Sequence, residues 1–158
     1  MRKLILAEPG GELDATLDPA YKPGPSPLAG MIAASAEVIA RGDIDGGLQI
    51  FMEALEGPGA WKRLPATPKQ LLRDNATTLI GQMRDQRPPF SKADAEAIRT
   101  PTLFIGGADT KGTLPKVLNA LAANVKGSRT AMISGTTHPM FEQAPQQFCN
   151  VVLEFLVP

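Results

Sequence analysis

From Pro101 to Gly107 the chain reads Pro-Thr-Leu-Phe-Ile-Gly-Gly, a continuous apolar run that stops at a glycine pair. A strand that is wet on one face alternates apolar with polar side chains. A run without alternation must be covered on both faces, as a parallel strand inside an α/β sheet is. Lys3 to Ala7 repeats the pattern and stops at Glu8-Pro9-Gly10-Gly11, and Arg129 to Ile133 reads as a third short strand. After these runs the apolar spacing becomes helical. Leu114, Val117, Leu118 and Leu121 share one side of a helix closed by Gly127, and Phe148, Val151, Val152, Phe155 and Leu156 share one side of a last helix. Strands alternating with helices predict an α/β fold, with a short parallel sheet and flanking helices.

A helical block separates the first strand from the second. Leu28, Met31, Ile32, Val38 and Ile39 recur at helical spacing up to a stop at Gly42, and Leu48, Phe51, Met52 and Leu55 repeat it before Gly57. Thr67-Pro68 reads as an N-cap and first helical position, with Leu72, Ala76, Leu79 and Met83 on one face of the helix that follows. Ser91 is placed to cap a short helix through Ile98. The 15 glycines and 15 prolines among 158 residues act as punctuation, at Pro23, Pro25 and Pro27, at Gly57-Pro58-Gly59, and at Pro88-Pro89. Pro19 to Gly30 reads as a hinge or a surface loop. The length fits one domain of roughly 100–200 residues. Within it, residues 1–8 form a first core strand, 9–99 a mainly helical region, and 100–158 a second α/β core segment.

Charge and composition exclude several functions. Sixteen Lys and Arg against sixteen Asp and Glu give a net charge of zero, so the broad basic footprint of a nucleic-acid binder is missing. One Cys and one His argue against a disulfide framework and a Cys- or His-rich metal site; we expect no metal and no organic cofactor. No apolar run approaches the ~18 residues of a membrane span, and the apolar start is too short for a signal peptide. The expectation is a cytoplasmic protein that binds neither nucleic acid nor membrane. Three parallel strands make a thin sheet, and a naked apolar edge invites association. The open edge therefore calls for a twin of this chain, as a homodimer, or for further strands of a larger sheet.

In open α/β sheets, ligands bind beyond the carboxyl ends of the strands. Asp109 follows the second strand and His138 the third. An Asp beside a His fixes the imidazole tautomer and stabilises the imidazolium, leaving the other ring nitrogen to take a proton from a nucleophile. Here the chain resembles a known family. Pro101-Thr102-Leu103-Phe104-Ile105-Gly106-Gly107-Ala108-Asp109 resembles the penultimate strand and acid loop of the α/β-hydrolase superfamily. Ile133-Ser134-Gly135-Thr136-Thr137-His138, followed by Phe141 to Phe148, is similar to its His loop and closing helix. Leu4 to Pro9 is similar to the strand before the family's helical cap, which Leu28 to Gln86 would form. The resemblance implies a partial α/β-hydrolase fold with a helical cap insertion, Asp109 as triad acid and His138 as general base. It also implies serine-type hydrolysis of an ester or related acyl bond in a small apolar substrate.

The departure concerns the nucleophile. The family's serine sits in a Gly-x-Ser-x-Gly turn, and none of Ser26, Ser35, Ser91, Ser128 and Ser134 lies in such a turn. The oxyanion hole is lost with it. By this resemblance the chain looks like the carboxyl-terminal half of a hydrolase, inactive alone, and the missing amino-terminal half would supply the strands that cover the open edge at Lys3 to Ala7. One alternative is a non-catalytic binding or regulatory module; another is that Met1 is an internal methionine of a longer frame. Glu8 also follows a strand, and some members carry the acid there, but Asp109 ranks first and a polar strand end is the plainer reading of Glu8. Cys149, among apolar residues of the last helix, reads as packing, and Ser134 as a turn residue. Trp61, Phe90, Met140 and Phe141 read as the lining of an apolar substrate pocket or as ordinary core. Asp43, Asp45, Glu53 and Glu56 match no calcium loop and read as solvated surface.

Overall fold

The computed structural model describes residues 2–20, 27–85 and 88–157. It divides into two compact units, Met1–Lys22 with Pro88–Pro158, and Pro23–Arg87. Length alone predicts one domain; each unit here has a core of its own. Part of the Pro19 to Gly30 stretch, together with Ser26 and Gln86, lies outside the described residues.

The first unit is built on three parallel strands in the order β1 (Leu4–Ala7), β2 (Thr102–Gly107) and β3 (Arg129–Ile133). Leu4 sits opposite Thr102, and Leu103 opposite Arg129. β2 is buried along its whole length, which is why its sequence does not alternate. Side chains still alternate in direction. Phe104, with Leu6 of β1, packs on one face against Val117, Leu118 and Leu121 and against Leu13 and Ala95. Leu103, Ile105 and Ile133, with Ile5, pack on the other against Met140, Phe155, Val151 and Val152. The two faces are thus covered by different helices, labelled below, so the sheet is thin but sandwiched. β1 and β3 are the two edge strands; the apolar Leu4, Ile5 and Leu6 of β1 are only half-buried.

The second unit is helical: α1 (Pro27–Ala40), α2 (Ile44–Glu56), α3 (Ala60–Arg63), α4 (Ala66–Asn75) and α5 (Thr78–Arg84). Ala36, Ile39, Leu48, Met52, Ala60, Trp61, Ala76 and Leu79 form its core. α1 and α2 approach closely because Gly47 has no side chain: a Cβ there would lie 2.7 Å from the Ser35 carbonyl oxygen. The buried Ser35 hydroxyl donates to Gly47 O at 2.6 Å, satisfying its polar group locally. The segment with Leu72, Ala76, Leu79 and Met83 is two helices rather than one, broken at Ala76–Thr77. Thr67 lies inside α4, whose N-cap is Pro65.

The chain returns to the first unit through α6 (Lys92–Ala97), where Ser91 and Asp94 form the reciprocal capping box. α7 (Thr113–Asn124) covers the Phe104 face. A four-residue helix, α8 (Met140–Gln143), and α9 (Pro145–Leu156) cover the other. α9 starts on Pro145, whose fixed φ and missing N–H suit a first helical position.

Candidate active site

The strand ends place three short segments side by side. Glu8 follows β1, Gly107 closes β2, and the loop Ser134 to His138 follows β3. Neighbouring strands lie about 4.8 Å apart, so the groups following β1 and β3 must reach across the end of β2. Glu8 does so. Its carboxylate is 1% exposed. Oε1 accepts the Gly107 N–H at 2.9 Å, and Oε2 lies 2.9 Å from Nδ1 of His138. Burying a carboxylate is costly unless it is paired and hydrogen-bonded; these two bonds supply the pairing. The residue adopts φ 41°, the left-handed region, alone among the described non-glycine residues. Its own N–H donates to Ile105 O at 2.9 Å, so the turn is held where the side chain can enter the sheet end.

A carboxylate oxygen accepts, so Nδ1 of His138 carries the proton and Nε2 is left to act as a base. The His138 side chain is 55% exposed, leaving the ring accessible to a reacting group. Its loop is tied down along its length. Ala108 N–H donates to Ile133 O at 3.0 Å, Asp109 N–H to Thr136 O at 2.9 Å, and the buried Thr136 hydroxyl to Ile133 O at 2.8 Å. Gly107 has to be glycine here: a Cβ would fall 2.6 Å from the carbonyl oxygens of both Thr136 and Thr137.

The pairing expected between Asp109 and His138 is not the one observed. Asp109 is exposed and meets the His loop through its backbone N–H, while the buried carboxylate on Nδ1 belongs to Glu8. Sequence reasoning ranked the two in the opposite order because Asp109 and His138 follow strands expected to be adjacent and because the segment ending at Asp109 resembles the family's acid loop. The signal it underweighted was a charged residue, with the longer side chain, directly at a strand end before Pro-Gly-Gly.

The expected pocket residues are divided between the two units. Trp61 is buried in the helical unit, with Lys69 and Arg73 over its ring at 5.4 and 5.5 Å. Phe90 is half-buried in the sheet unit, bridged to Leu13 and packed against Gly11. Met140 is fully buried among Leu103, Ile105, Ile133 and Phe155, so it is core. Phe141 is 47% exposed, its ring edge-on to Phe148 at 6.2 Å. Cys149 is exposed on α9 rather than packed. Ser35, Ser91 and Ser128 are engaged in local hydrogen bonds, and Ser134 is exposed in the turn after β3. No cluster of three metal-ligating side chains occurs among the described residues, and no helix among them is long and apolar enough to cross a membrane.

No protein-family model matches the sequence, and no curated protein matches it. Solved structures do. MenH from S. aureus superposes with a TM-score of 0.67 at 18% identity, covering 99% of this chain and 59% of its own. A hydrolase from Pseudomonas aeruginosa gives 0.65 at 23% identity, over 99% of this chain and 56% of its own. An esterase from a Rhodococcus species gives 0.63 at 16% identity, over 97% and 55%. The chain therefore has part of the fold seen in α/β hydrolases, and it spans less than three-fifths of the length of these structures.

Proposed function

We propose that this chain carries the acid–base half of a serine-type hydrolase acting on an ester or related acyl bond in a small apolar substrate. The observation that carries the reading is the buried Glu8 carboxylate on Nδ1 of a half-exposed His138, at 2.9 Å. In this reading Glu8 takes the role first expected of Asp109. It fixes the tautomer and stabilises the imidazolium as it forms; His138 Nε2 takes the proton from a serine hydroxyl and returns it to the leaving group. The hydrolases and esterases among the structural neighbours support the same chemistry.

The serine and the oxyanion donors come from polypeptide outside these 158 residues, since the sequence holds no Gly-x-Ser-x-Gly. Without them, the isolated chain is expected to hydrolyse no short-chain aryl ester above buffer and to take no label from a fluorophosphonate probe. Turnover by the isolated chain that disappears in His138→Ala would contradict this. In the protein purified from its source, the probe should label a polypeptide that contains this segment or binds it. There Glu8→Gln should lower kcat by about 10⁴-fold, the scale seen when a triad acid is neutralised, and Asp109→Asn should leave it within a few fold. Absence of any labelled species, with the segment present, favours the second reading, a non-catalytic binding or regulatory module, to which the missing elbow also points.

A further inference from the structure

We propose that Gln143 is a positioning residue for His138, clamping the backbone that presents the imidazole to Glu8; this rests on the acid–base reading above. Gln143 and Thr137 lie on either side of His138 in the chain, and the Gln143 amide grips Thr137 at two points. Its Oε1 accepts the Thr137 backbone N–H at 2.7 Å, and its Nε2 donates to the Thr137 hydroxyl at 3.0 Å. The amide orientation follows from chemistry: a backbone N–H only donates, so the amide oxygen must face it, and the hydroxyl can accept from the nitrogen.

The base of the clamp is fixed. Gln143 closes α8, which begins at the fully buried Met140, and its own N–H donates to Pro139 O at 3.0 Å. The opposite side of the loop is fixed too, because the Thr136 and Thr137 carbonyls lie flush on Gly107. Thr137 is therefore held between the end of β2 and the Gln143 side chain, and His138 is the next residue. A site held to within about half an ångström needs such supporting bonds around the residues that react. Gln143 supplies them at a place where no secondary-structure ladder does.

The chain has one histidine, so every imidazole signal in a ¹⁵N-labelled sample belongs to His138. Long-range ¹H–¹⁵N spectra at a pH where the ring is neutral read the tautomer directly. The wild-type chain is expected to show the Nδ1–H form that Glu8 selects. Gln143→Ala and Gln143→Met lose both clamp bonds and should lose that single form, giving a mixture with Nε2–H, along with faster exchange of the Thr137 amide proton. Gln143→Glu keeps an oxygen facing the Thr137 N–H and should restore the wild-type pattern. Ser91→Ala, which weakens the remote α6 cap, should leave the tautomer unchanged and so separates positioning from general loss of stability. Folded Gln143→Ala or Gln143→Met chains with the wild-type tautomer would overturn the proposal. So would a mixture in Gln143→Glu, which keeps the test decisive where the other two do not fold. A wild-type chain that already shows the mixture would instead remove the Glu8–His138 pairing, and the clamp's purpose with it.

Discussion

Glu8 spends conformational energy to reach its place. A non-glycine residue at φ 41° carries strain of the order of 1–3 kcal/mol, which persists only where surrounding bonds over-determine it. Here the Ile105 carbonyl, the Gly107 N–H and the His138 ring do so. Two neighbouring glycines test how tightly the site is built. At Gly107 an added Cβ meets backbone oxygens of the His loop at 2.6 Å, whereas at Gly106 it meets the Met132 side-chain end at 2.9 Å and Leu118 Cδ1 at 3.2 Å. Met132 is 49% exposed and free to swing. Gly107→Ala should therefore destabilise the fold by about 1–3 kcal/mol, the usual cost of overpacking, and Gly106→Ala by less; urea titration of both variants checks the order. The roles of Glu8 and Asp109 show where residue-level reading stops. Both were legible as carboxylates at strand ends. The structure turns Glu8 inward and leaves Asp109 exposed, tied to the His loop through its N–H, and no spacing in the sequence reports that.

At the scale of elements, α6 gives the clearest link from sequence to energy. Ser91, read as a cap, forms the reciprocal box with Asp94, and Ser91→Ala should cost about 0.5–2 kcal/mol near neutral pH. The Ser91 hydroxyl first, and its backbone N–H second, hold the Asp94 carboxyl below the ordinary 3.8. A carboxyl lowered by folding stabilises the fold above its unfolded value, and that contribution fades as pH falls through the folded value. The difference between wild type and Ser91→Ala should thus narrow below about pH 4; denaturation midpoints measured from neutral to acid pH check it. The helices with strong apolar stripes, α2, α7 and α9, were legible for the same reason that they are stable. The break between α4 and α5 was not. Leu72, Ala76 and Leu79 keep one face through it, so the periodicity survives an interruption that only backbone hydrogen bonds reveal. The four-residue α3 and α8 are too short to show a period at all.

For the whole molecule, the continuous apolar run at β2 was the most informative feature, because burial on both faces leaves no room for alternation. Phe104, fully buried at its centre, should be correspondingly intolerant: Phe104→Ala is expected to cost about 3–5 kcal/mol, read as a lowered thermal midpoint. Length alone fits one domain, yet the proline-rich punctuation on either side of the helical block, Pro23, Pro25 and Pro27 before it and Pro88-Pro89 after it, falls at the ends of the second unit, Pro23–Arg87. Residues up to Lys22 and from Pro88 group with the sheet, so the helical unit is narrower than the 9–99 expected. The expected lining residues were recognised as apolar, but no spacing told that Trp61 and Met140 belong to two different cores.

The central claim is that Glu8, and not Asp109, holds the histidine. Imidazole ¹⁵N spectra of the wild-type, Glu8→Gln and Asp109→Asn chains test it with one reporter. The account predicts an Nδ1–H imidazole in wild type and in Asp109→Asn, and its loss in Glu8→Gln. Loss of the Nδ1–H form in Asp109→Asn, with Glu8→Gln unchanged, would contradict it and return the acid's role to the end of β2.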